Sequence, residues 1–250
     1  MSATRTEPGG RDRDTRPAGG TGAAHPSRAG LATLRELRRP APRPERCAFC
    51  GQRLAPAGHR HLADTERRAL VCACPACSLL FHRSGAAAGR YRPLPERHLT
   101  DPDYALDAAA WAELRIPVST AFLLYDSGLG RPVLCYPSPA GATESELEEG
   151  AWRAVFGSSA LAAALEPDVE ALLLRRDGEL IRCYLVPVDL CYELVGRMRL
   201  RWQGFDGGAE ARAELDAFFA ALAARARPLA RPSHGGEASG AAPSGEEART

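Results

Sequence analysis

Cys47-Ala48-Phe49-Cys50-Gly51 and Cys72-Ala73-Cys74-Pro75-Ala76-Cys77 are the two stretches on which the reading of this chain turns. Two residues between a pair of cysteines form a tight turn that aims both sulfurs at one point, with backbone N–H groups directed back at the thiolates. Gly51 supplies the positive φ that such a turn favours after its second cysteine, and Pro75 stiffens the second turn. Two turns of this kind gather four thiolates around one tetrahedral ion, with zinc–sulfur distances near ~2.3 Å. Cys47, Cys50, Cys74 and Cys77 are therefore the expected metal ligands, with Zn2+ as the expected ion and Fe as the alternative.

Cys72 keeps other arrangements open. It stands two residues before Cys74, so in a strand both sulfurs face one side, and Cys47, Cys50, Cys72 and Cys77 is a second possible set. A chain that holds no stable metal is the third. If it is not a ligand, Cys72 reads as a small buried hydrophobe beside the site, in preference to a spare thiol for ligand exchange or redox sensing. Between the cysteine turns, Leu62 and Ala69-Leu70-Val71 flank a polar Asp64-Thr65-Glu66-Arg67 turn, the pattern of a hairpin. His59 and His61 would share one strand face and His82 follows Cys77 closely. With four thiolates already complete, these histidines read as solvated side chains.

The chain has 250 residues, 45% of them hydrophobic and 25% charged, room for one or two domains with a real core. A net charge of +1 provides no global field for DNA or an anionic membrane. All 32 basic residues are arginine and there is no Lys or Asn, a skew that strips individual arginines of functional meaning. The first forty residues hold no apolar stretch, so no secretory signal is expected. The longest apolar runs, Ala121 to Tyr125 and Ala171 to Leu174, are strand-sized, so no membrane span is expected. Five of eight cysteines crowd between Cys47 and Cys77, which in a reducing cytoplasm favours a metal over disulfides.

Composition divides the chain into a disordered tail (1–30), a metal-binding zinc-ribbon-like module (31–92), a linker (93–106), an α+β domain (107–226) and a second disordered tail (227–250). Leu31, Leu34 and Leu37 recur at helical spacing up to Pro40, and a Pro/Arg linker then runs to Pro44. In the α+β domain, Asp107 caps a helix carrying Trp111 and Leu114. Strands are expected at Val118 to Asp126, Pro132 to Tyr136, Val169 to Arg175 and Glu179 to Val186, the last two joined by Asp177-Gly178. Thr143-Glu144-Ser145-Glu146 has the form of a capping box opening a helix through Trp152 and Phe156. Asp189 opens another, and a last helix follows Gly204 to Gly208. Together they predict a mainly antiparallel four-stranded sheet covered on one face by helices.

Chemistry elsewhere is sparse. Cys135, Cys183 and Cys191 lack a paired spacing and read as core thiols. Glu144, Glu146, Glu148 and Glu149 crowd an expected helix start and read as a solvated face. No phosphate loop follows a strand, and no catalytic residue is expected. Arginines cluster around the cysteine turns, which leaves nucleic acid open as a partner, with few aromatics there for base stacking.

Further residues carry a family resemblance. They are Cys47-x-x-Cys50-Gly51, His59-Arg60-His61-Leu62, Cys72-x-Cys74-x-x-Cys77-x-Leu79-Leu80-Phe81, Tyr136-Pro137-x-Pro139-Ala140-Gly141-Ala142-Thr143-Glu144 and Trp202-x-Gly204-Phe205-Asp206-Gly207-Gly208. Together, over about Leu31 to Ala226, they resemble an uncharacterised actinobacterial family encoded near genes for high-affinity [NiFe] hydrogenases. That resemblance implies an accessory part in making or serving a hydrogenase, by genomic company alone, and no catalytic role. The paired cysteine turns are also similar to those of rubredoxins, which hold a redox-active iron. Ser78 stands where a rubredoxin usually has glycine, and the aromatic packing in the sequence is thin, so zinc is favoured.

The expectation is a cytoplasmic, non-catalytic metal-binding protein that docks a protein partner, with hydrogenase subunits or maturation factors as candidates. An iron electron carrier and a nucleic-acid-binding zinc ribbon are the alternatives.

Overall fold

A computed structural model of the chain describes residues 44–230 apart from 56, 84, 205 and 206. The expected tail at 1–30, the part of the expected 227–250 tail from 231 on, the Leu31–Leu34–Leu37 helix and most of the Pro/Arg linker lie outside the described residues.

The hairpin expected between the cysteine turns is present, and a third strand joins it. Strands β1 (Arg60–Asp64) and β2 (Ala69–Ala73) pair antiparallel, with His61 opposite Cys72 and Leu62 opposite Val71. Strand β3 (Tyr91–Pro93) pairs with the other edge of β1, giving the order β2-β1-β3. The turn spans residues 65–68, one position later than expected, because Asp64 still pairs with Ala69. Helix α1 (Pro75–Leu79) follows β2 directly, with Pro75 in its first turn, where the missing N–H is no loss. The core of this small sheet is slight: Cys47, Leu62, Ala73 and Cys74 are buried, flanked by Phe49, Leu54, Val71, Cys77 and Phe81.

The remaining elements run β4 (Leu99–Thr100), α2 (Ala108–Glu113), β5 (Thr120–Asp126), β6 (Arg131–Ser138), β7 (Gly141–Ser145), α3 (Glu149–Phe156), α4 (Ala160–Ala164), β8 (Glu170–Asp177), β9 (Leu180–Pro187), α5 (Val188–Arg201), α6 (Gly208–Arg225) and β10 (Arg227–Pro228). Among the described residues the strands form a seven-stranded sheet in the order β10-β4-β9-β8-β5-β6-β7, antiparallel except for the β10–β4 pair. The mixed α+β class is as expected, while the sheet is larger than the four strands predicted. Two of the additional strands, β4 and β10, are two residues long, too short to show a period in sequence. The third, β7, occupies the stretch read as a capping box. Thr143 and Glu144 pair with Tyr136 and Cys135 instead of opening a helix, and α3 begins only at Glu149.

The helices cover both faces of the sheet, correcting the single covered face expected. Phe122, Leu173, Tyr184 and Val186 meet α5 and α6 through Cys191, Leu194, Phe218 and Leu222. Leu123, Leu134, Leu172 and Leu174 meet α2, α3 and α4 through Trp111, Phe156 and Leu161. Ala121 to Leu124 and Ala171 to Leu174 are buried without interruption, which is why they read as unbroken apolar runs. Asp107 caps α2 by accepting from the Ala110 amide, and Gly178 takes the positive φ of 60° that the β8–β9 turn demands.

The small sheet is held against the large one. Arg68, in the β1–β2 turn, donates to Asp126 on β5 and Glu144 on β7. Arg92 of β3 reaches the Pro167 carbonyl and Asp168, and Leu70 and Leu94 pack on the core under α5 and α6. Pro93, Leu99 and Thr100 of the expected linker lie in strands, as do Arg227 and Pro228 of the expected tail. No helix among the described residues is long and apolar enough to cross a membrane.

Candidate metal centre

The first cysteine turn is a short hairpin of its own. Arg46 bridges to Arg53, and the Leu54 amide donates to the Glu45 carbonyl. Inside it the Gly51 amide donates to the Cys47 carbonyl at 2.9 Å, with Gly51 at φ 74°. This is the left-handed position that glycine occupies without penalty. In the second turn Cys74 caps α1: its sulfur accepts from the Cys77 amide at 3.4 Å, and its carbonyl accepts from the Ser78 amide at 3.0 Å. The two turns are joined by a hydrogen bond from the Ala48 amide to the Cys72 carbonyl.

The sulfurs of Cys47, Cys50, Cys74 and Cys77 all lie within 4.8 Å of one another, with Cys50 and Cys74 at 3.8 Å. Cys47 and Cys74 are buried, Cys77 is partly buried and Cys50 is exposed. Four thiolates gathered this closely can bind one metal ion. Burial pushes the Cys47 thiol up, but backbone amides of Cys74, Cys50 and Phe49 outweigh it and hold this thiol at about 6. Cys77 is pushed up to about 12, first because it shares a hydrogen bond with Cys74 and then by burial. Cys47 and Cys77 are thus driven apart, as neighbouring thiols that share hydrogen bonds are.

Aromatic side chains are closer to this centre than the sequence suggested. Phe49, Phe81 and Tyr91 form a triad with ring centroids 4.7, 5.1 and 5.3 Å apart, and Phe49 and Phe81 pack on the cluster of Leu62, Ala73 and the two buried cysteines. The rings come from the first turn, the end of α1 and β3, so only the fold brings them together.

Cys72 belongs to a different group. Its sulfur, a ring nitrogen of His59 and a ring nitrogen of His61 lie within 4.8 Å of one another. His61 is directly opposite Cys72 in the hairpin, and His59 is two residues before His61 on the same face. Nδ1 of His61 is 2.7 Å from Oδ2 of Asp189 at the start of α5, and this hydrogen bond, against the opposing effect of burial, raises the His61 pKa. The sequence predicts solvated side chains at His59 and His61, whereas in the fold they face each other and Cys72. The signal that could have found them is the strand parity shared by His59, His61 and Cys72. His82 is not part of the group but borders the same cavity as His59 and His61.

The other residues considered from sequence sit in structural roles. Burial pushes Cys135 and Cys183 up to about 12 and Cys191 well above its ordinary value, so none is an activated nucleophile. Glu144 accepts from Arg68, and Glu149 pairs with Arg153. Several arginines near the cysteine turns are engaged by carboxylates: Arg60 with Glu96, Arg68 with Asp126, Arg90 with Asp64 and Arg97 with Glu170.

No curated protein and no solved structure matches the chain. Residues 46–226, from the first cysteine turn to the end of α6, match one protein family in a single span. Covering the metal-binding-capable cysteines and all of the large sheet but β10, this match makes the chain a member of a family of unknown function, DUF5947.

Proposed function

We propose that this chain is a non-catalytic metal-binding accessory protein, in which Zn2+ held by Cys47, Cys50, Cys74 and Cys77 braces the small sheet for docking a protein partner. The convergence of four sulfurs within 4.8 Å carries the reading. Apart from the ligands Cys47 and Cys74, the buried cluster there holds only Leu62 and Ala73 among the described residues, too few to hold the turns by packing, so metal binding and local folding are coupled. Leu79 and Leu80, beside Cys77, are 66% and 67% exposed, an adjacent apolar pair that suits a protein partner. The pairing of nearby arginines with carboxylates leaves less free positive charge for nucleic acid. The motif resemblance supports hydrogenase subunits or maturation factors as partners, and eight unpaired cysteines suit a reducing cytoplasm.

Elemental analysis of the anaerobically purified chain tests the metal. One zinc is expected at the four cysteines, lost together with the small sheet's protection in Cys77→Ser. Unchanged metal content and folding in that variant would overturn the reading. Co-purification from a host expressing a [NiFe] hydrogenase tests the partner, and a clean failure removes that assignment.

The Phe49–Phe81–Tyr91 triad and the exposed Cys50 favour a second reading, a rubredoxin-like iron electron carrier. Apolar rings lower the dielectric around an iron–thiolate centre, and an exposed ligand offers a path for the electron. A coloured protein that bleaches on reduction supports iron; a colourless one supports zinc.

A further inference from the structure

The geometry points to a second, separate metal site, in which Nε2 of His59, Nε2 of His61 and Sγ of Cys72 hold a borderline transition-metal dication with a coordination position open to solvent. The argument starts from the hydrogens on the two rings. Nδ1 of His59 lies 3.2 Å from the Ala55 carbonyl oxygen, and Nδ1 of His61 lies 2.7 Å from a carboxylate oxygen of Asp189. Both partners only accept, so each Nδ1 carries a hydrogen and each neutral ring keeps its lone pair on Nε2. Those two Nε2 atoms face each other at 3.1 Å. Two lone pairs are not stable at that separation unless a cation lies between them or one ring takes up a second proton.

The surroundings favour a metal ion over a lone proton. The Cys72 sulfur is within 4.8 Å of a ring nitrogen of each histidine, and Oε2 of Glu45 is 3.8 Å from His59 Nε2. Two imidazoles, a thiolate and a nearby carboxylate are a donor set suited to Zn2+ or Co2+. The rings meet at 80° with centroids 4.8 Å apart, so they converge at their edges and do not stack. Each Nδ1–H is anchored by an oxygen, the outer arrangement that orients metal-bound histidines and strengthens them as ligands.

This site differs in kind from the four-thiolate centre. Only three protein atoms converge, and Glu45 is largely exposed at 62%, so the fourth position can exchange. His59 and His61 border a cavity of about 800 Å³ which His82 and His98 also border, so four of the chain's six histidines meet there. Three protein ligands with a position facing open space is the pattern of a ligand-exchanging metal centre, whereas structural zinc is closed by four. The proposal stands on its own donors and does not depend on which metal the four cysteines hold.

The test uses the full chain stripped of metal and reloaded with a single equivalent of Zn2+, which the four thiolates take first, then titrated with Co2+ and followed by equilibrium dialysis, metal analysis and absorption. The native chain is expected to take one further equivalent as Co2+, with a sulfur-to-cobalt charge-transfer band, while its zinc stays in place. Cys72→Ala removes that band and weakens binding about tenfold or more. His61→Asn keeps a donor for Asp189 but lacks the Nε2 ligand, and is expected to lose the added cobalt with folding intact by circular dichroism. Absence of a further equivalent in the native chain, the result for a shared proton, overturns the proposal. So does a cobalt spectrum unaffected by Cys72→Ala. Because zinc and cobalt are counted separately, failure of the four-thiolate reading shows as missing zinc and failure of this one as missing cobalt.

Discussion

His61 on β1 and Asp189 at the start of α5 meet at 2.7 Å across 128 residues of chain. The contact fixes the imidazole ring and ties the hairpin between the cysteine turns to the helix layer of the large sheet. Asp189→Asn keeps an amide oxygen as a weaker acceptor but removes the charge. It is expected to weaken metal binding at His59, His61 and Cys72 by about 10- to 100-fold and to spare the four-thiolate zinc. Cobalt titration of the zinc-loaded variant measures both.

Asp64 is 1% exposed and receives two hydrogen bonds from the Arg90 guanidinium, at 3.0 and 2.8 Å. Those bonds, opposed by burial and helped by the Arg67 amide, hold its carboxyl below the usual range. A depressed carboxyl contributes stability that is complete above the unfolded value of about 4 and is lost as pH falls through the lower native value. Asp64→Asn should therefore cost about 2 to 3 kcal/mol at neutral pH. The difference between native and variant, from urea unfolding at a series of pH values, should hold above about pH 4 and shrink as the pH falls below it.

Gly51→Ala isolates backbone strain. At φ 74° the added Cβ would meet nothing within 4 Å, so no clash confuses the result. Forcing alanine into this left-handed position should cost about 1 kcal/mol, weakening zinc retention about fivefold in competition with a chelator. An unchanged affinity would mean that the turn does not need its glycine.

Phe122→Ala tests which sheet face carries the larger core. Phe122 is 1% exposed, opposite Leu173, with its ring 5.7 Å from that of Tyr192 on α5. A loss of about 3 to 5 kcal/mol is expected, read from the urea midpoint. The zinc content of the folded fraction should not change, since the cysteine turns lie in a separate cluster.

Local features were legible in the sequence because their causes are local. The spacing Cys47–Cys50 and Cys74–Cys77 brings each pair together by turn geometry, and the Asp107 cap and the Asp177-Gly178 turn act within a few residues. The capping-box reading at Thr143 failed because pairing with β6 outweighed a local preference. The strands β4 and β10 could not be read, since two residues carry no period; β4 exists as a strand only beside β9, and β10 only beside β4. The aromatic triad was hidden for the same reason: Phe49, Phe81 and Tyr91 belong to three separate elements.

By itself the sequence determined that Cys47 with Cys50, and Cys74 with Cys77, could each pair across a tight turn, because each pair is set by a handful of consecutive dihedral angles; whether Cys72 or Cys74 joins the first pair it left open. The tertiary structure alone decided the rest of the metal chemistry. The register of β1 against β2 sends Cys72 to the histidines, while β2 ends at Ala73 and frees Cys74 to cap α1 and join the other sulfurs. Asp189 arrives from a helix that only the packing of the two sheets could bring near. Turn geometry is a short-range property of the chain; strand register and helix placement come from burying apolar surface across the whole fold.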